Sequence, residues 1–78
     1  MTIEKAVQKI LGLSENKDFS GLSVFTQAEV RGKYKGHSFS VWLRSDGTWG
    51  LQVSPKLCSE YDRLENIIFN AIEEVLYD

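Results

Sequence analysis

From His37 to Arg44 the chain alternates without a break, with Phe39, Val41 and Leu43 on one side of a strand and Ser38, Ser40, Trp42 and Arg44 on the other. Such a segment belongs in a sheet with one face against a core and the other against water. After Ser45-Asp46-Gly47-Thr48, a tight-turn sequence, the alternation resumes as Trp49, Leu51 and Val53 against Gly50, Gln52 and Ser54. Upstream, Ser23 to Arg31 is rich in β-branched and aromatic residues, and Gly32-Lys33-Tyr34-Lys35-Gly36 reads as a five-residue basic hairpin tip. The pattern predicts a three-stranded antiparallel meander. Parity is least constrained in its first strand, where Val24, Thr26, Ala28 and Val30 are only moderately more apolar than Phe25, Gln27, Glu29 and Arg31.

A helix is expected on each side of the meander. Thr2 can cap the first, in which Ile3, Val7, Ile10 and Leu11 gather on one face and Gly12-Leu13 marks the end. Ser14 to Asp18 is then a polar loop, pinned to the core by Phe19 and Leu22. Pro55 ends the third strand for lack of an amide hydrogen, and the last helix starts after either Ser54 or Ser59. Ser59-Glu60-Tyr61-Asp62 resembles a capping box, and the stripe Leu57, Tyr61, Leu64, Ile68, Ala71, Val75 recurs every three or four residues. Glu73 and Glu74 fall at the unfavourable, negative end of that helix dipole. The expected fold is α+β: helix, three-stranded antiparallel β-meander, helix, with both helices packed on the sheet face built from Phe39, Val41, Leu43, Trp49, Leu51 and Val53.

Seventy-eight residues, 42% hydrophobic and 26% charged, suit one domain spanning 1–78 with a single core. Nine basic against eleven acidic residues, a net of −2, argue against coating nucleic acid by bulk charge. The charges are unevenly spread. Arg31, Lys33, Lys35 and Arg44 lie in a stretch without acids, whereas from Asp46 onward seven acids face only Lys56 and Arg63. A single cysteine, Cys58, allows no intrachain disulfide, as in a reducing compartment, and the cytoplasm is the expected location. The charges Glu4, Lys5 and Lys9 interrupt the first apolar residues, so neither a signal-peptide core nor a membrane span is expected.

The chemistry-bearing residues are few. Cys58 and His37 are the only thiol and imidazole; Cys58 reads as a small core residue, and one cysteine with one histidine cannot complete a zinc tetrahedron. Gly32 to Gly36 lacks the spacing of a phosphate-cradling loop, and no serine sits in a nucleophile elbow. The expectation is a protein without catalytic residues, metal or cofactor.

Binding is the remaining class, and the leading candidate surface is the water-facing side of the sheet. Phe25, Trp42 and Arg44 would form there the kind of patch that protein partners use, in a hetero-complex or a homodimer. Two other placements of Trp42 fit the pattern: cover by the Asp18–Ser23 segment, or inverted strand parity with the indole in the core. The alternative function is nucleic-acid binding by the basic hairpin through Arg31, Lys33, Tyr34 and Lys35, cations mixed with an aromatic ring. The element order, with Gly36-His37-Ser38-Phe39-Ser40-Val41 at the second strand, loosely resembles the double-stranded-RNA-binding domain, built helix, three strands, helix. That resemblance implies a phosphate-clamping basic cluster at the start of the last helix, where this chain reads Ser59-Glu60-Tyr61-Asp62-Arg63.

Overall fold

The computed structural model describes residues 3–54 and 59–76. Helix α1, Ile3–Leu11, runs into a 3-10 turn at Gly12–Glu15. Four strands follow, β1 Phe19–Thr26, β2 Glu29–Tyr34, β3 His37–Leu43 and β4 Trp49–Ser54, before helix α2, Tyr61–Leu76. The fold is α+β in the expected order, but the sheet has four antiparallel strands, in spatial order β1-β2-β3-β4, rather than three. It departs by the same strand from the three-stranded double-stranded-RNA-binding domain.

The extra strand comes from the segment read as one strand and a basic tip. The chain reverses at Gln27-Ala28, with Thr26 paired to Glu29 and the Ala28 N–H donating to Thr26 Oγ1 at 3.4 Å. A register shift between Val24 and Thr26 makes a bulge at Phe25, next to this turn. Phe19 to Leu22, expected to pin a loop, is instead the first half of β1. The basic tip shrinks to Lys35-Gly36, whose φ angles of +49° and +83° are those of a two-residue type I′ hairpin. Lys33 and Tyr34 therefore belong to β2. The Lys35 amide donates to the Asp18 carbonyl at 2.7 Å, tying this turn to the start of β1.

Both helices cover one sheet face. Ala6, Val7 and Ile10 of α1 and Leu64, Ile68 and Ile72 of α2 close over Val30, Tyr34, Phe39, Val41, Leu43 and Val53. Each fully buried side chain of this size contributes about 1.5–3 kcal/mol. The Phe19 ring lies tilted at 54° to the Tyr34 ring, 4.9 Å between centroids, and meets Phe39 edge-on at 5.9 Å, closing the β1 end of the core. Gly32 lies opposite Phe39, and Leu22 fills its place on the core face: a Cβ on Gly32 would run into Leu22 Cδ2. Helix α2 begins at Tyr61, beside the later of the two candidate caps, and the Leu64 N–H donates to the Glu60 carbonyl at 2.9 Å. At its far end Glu74 pairs with Lys9 of α1 at 2.9 Å, a surface contact worth at most about 1 kcal/mol. The expectations for Thr2, Pro55, Leu57 and Cys58 lie outside the described residues.

Candidate docking surface on the open sheet face

Strand register alone lays out the face that the helices leave bare. Three rows cross it: Thr26-Glu29-Trp42-Gly50, Ser23-Arg31-Ser40-Gln52 and Ser20-Lys33-Ser38-Ser54. The last row is serines around Lys33, and the middle one serines around Arg31 with Gln52 at its end. The first carries the ring and the acid.

Trp42 stands on this face, opposite Gly50, and its indole lies flat across the glycine. A Cβ at position 50 would collide with indole Cε2 and Cζ2 and stand 2.7 Å from Nε1. Gly50 is the missing side chain that makes room for the ring, which is partly buried as a result. Next to it, Glu29 Oε2 accepts a hydrogen bond from Arg31 Nε at 2.7 Å, and the Arg31 guanidinium carbon sits 3.5 Å from the centroid of the Phe25 ring. The pair follows from strand geometry, since residues two apart project from one face. The bulge turns Phe25 toward this cluster and leaves it 57% exposed. A cation over an exposed ring adds about 0.5–1 kcal/mol, so Arg31 is held at both ends.

Arg44 follows β3 and extends to the β3–β4 turn, its Nη1 3.4 Å from Thr48 Oγ1. That turn is fastened by Asp46, whose carboxylate accepts from the Thr48 hydroxyl at 2.6 Å and from the Thr48 N–H at 2.9 Å. The Thr48 hydroxyl, then its amide, hold the Asp46 carboxyl below its ordinary range. The turn thus holds the Arg44 guanidinium near Thr48, two residues beyond Trp42 along the chain.

The residues of the nucleic-acid alternative are not assembled on one surface. Arg31 and Lys33 share the open face, but Tyr34 turns inward with its ring 1% exposed and is removed from the set of contact residues. Lys35 pairs with Glu60 at 3.4 Å. Sequence reasoning put Glu29 and Gly50 on this face but missed the pairing of Glu29 with Arg31 and the use of Gly50 as a seat for the indole. The available signal was a strand-interior glycine followed by a polar alternation, which marks close approach of another group. Among the described residues no three His, Cys, Asp or Glu side chains group as metal ligands, and no helix is long and apolar enough to cross a membrane. Comparison with protein-family models, with curated proteins and with solved structures finds no match for the chain.

Proposed function

We propose that this chain is a small, non-enzymatic interaction module that binds a protein partner through the open sheet face. The carrying observation is the Trp42 indole seated over Gly50 on a sheet face that no helix covers. A tryptophan already fixed in place loses little rotamer freedom on binding, and aromatic and arginine side chains supply most binding energy at such surfaces. Trp42 and Phe25 form the centre of the contact, with Arg31 bridging them and Arg44 at the rim. A module of this size works by occupying a partner's surface, as a regulator or inhibitor, with no cofactor. The lone cysteine supports a cytoplasmic setting.

The test is capture from native cell extract with the wild-type chain and with Trp42→Ala. A partner retained by the first and lost by the second, with both proteins folded by circular dichroism, supports the reading. An increase in mass by light scattering that Trp42→Ala abolishes would make the partner a second copy. Equal retention by both chains contradicts the open face.

Nucleic-acid binding is the second reading, drawn from Arg31 and Lys33 side by side among the serines of the open face. It requires retention of RNA or duplex DNA at low salt, steep weakening as salt rises, and loss on Lys33→Glu. No gel shift at low salt removes it.

A further inference from the structure

Strand β4 is an edge of the sheet, and among the described residues nothing pairs with its outer side. Its six residues, Trp49-Gly50-Leu51-Gln52-Val53-Ser54, contain no charge and no proline, and its register with β3 is unbroken. Charge, proline and bulge, three of the devices that blunt an edge, are therefore absent from β4, whereas β1, the other edge, carries two register irregularities. The Arg44 N–H donates to the Thr48 carbonyl across the β3–β4 turn, and hydrogen-bonded pairs alternate along an antiparallel ladder. Trp49, Leu51 and Val53 then direct their N–H and C=O groups outward.

Beside this edge runs the flank of α2. Trp49, Phe69, Glu65 and Asn66 line a shallow groove, with the Trp49 and Phe69 rings 6.3 Å apart and Phe69 41% exposed. Glu65 is half-buried, accepts from the Tyr61 hydroxyl at 3.5 Å and has no cationic partner among the described residues. Burial, then the Glu65 charge, push the Tyr61 phenol above its ordinary range. Across the molecule the same three chemistries are complete: an aromatic ring, an acid and an arginine meet at Phe25, Glu29 and Arg31. The groove has the rings and the acid but lacks the cation.

We propose that the β4 edge is a strand-addition site for an extended segment of a partner protein, whose arginine or lysine side chain enters the groove between Trp49 and Phe69 and pairs with Glu65. Main-chain bonds to the outward groups of β4 give the affinity, and the cation sets the register. Residues of this site lie on the helix side and the edge of the sheet, so the inference stands apart from the open-face reading.

A display library of random twelve-residue peptides, panned against the wild-type chain, tests it. The expected peptides alternate apolar and polar residues around one arginine or lysine and shift the amide resonances of Trp49, Leu51 and Val53. Glu65→Gln then weakens them about ten-fold, the effect of one lost charge-assisted bond, and Glu65→Lys abolishes binding. Gln8→Ala, on the exposed flank of α1, leaves them unchanged. The proposal is overturned by peptides without a conserved cation, by shifts on the Trp42 face instead, by a β4-mediated dimer that occupies the edge, or by no enrichment at all.

Discussion

Position 50 holds either a side chain or the Trp42 ring, but not both. Gly50→Ala should swing the indole off the sheet, seen as a red shift of Trp42 fluorescence in a Trp49→Phe background, with partner capture lost and stability changed by no more than about 1 kcal/mol. Gly32 poses the stricter version of this conflict, because a Cβ there meets backbone at 3.1 Å from Leu22 Cα and 3.2 Å from the Ser20 carbonyl oxygen. Backbone cannot step aside as a surface ring can. Gly32→Val should therefore cost about 1–3 kcal/mol in chemical unfolding. Asp46 gives a pH prediction. Its folded value lies below the ordinary 3.8, so the fold prefers the carboxylate; the contribution is complete above that value and is lost as pH falls through the lower, folded one. The stability difference between wild type and Asp46→Ala should be constant near neutral pH and shrink in acid below about pH 4. A difference that grows in acid would reverse the assignment.

What the elements reveal is how unevenly structure is written into sequence. Strand β4 was legible to the residue and β3 to within one, Arg44 lying just past its end at Leu43, because strict alternation has only one way to bury an apolar face. The Gln27-Ala28 turn was not, since it uses neither Gly, Pro, Asn nor Asp and stands next to a bulge at Phe25, a feature of backbone geometry that no residue type announces. Missing that turn merged β1 with β2 and turned two strand residues, Lys33 and Tyr34, into a hairpin tip. The face of Phe25 and Arg31 was nevertheless assigned, because the bulge restores their common side. The pairing of Arg31 with Glu29 followed from same-face spacing, and only the correct strand boundaries bring it out. Burial ranks the elements as well. Ile68→Ala, under both sheet and α1, should cost about 2–5 kcal/mol, whereas Trp42→Ala should cost about 1 kcal/mol or less, a contrast read directly from denaturant midpoints.

At the scale of the whole molecule, each strand pairs with its sequence neighbour, while α1 and α2 join the two ends of the chain over one sheet face. Local pairing favours fast, cooperative folding, and seventy-eight residues with one core should unfold in a single calorimetric transition with a heat-capacity change of about 1 kcal/mol/K. Packing on one side is also what leaves a four-stranded face available for a partner, and that is the central claim. The most direct measurement is amide chemical-shift mapping of the chain on addition of its captured partner. The account predicts changes concentrated at Phe25, Glu29, Arg31, Trp42 and Gly50, with the outward residues of α1 and α2 silent. Changes confined to the helices, with Trp42 and Gly50 unmoved, would contradict it.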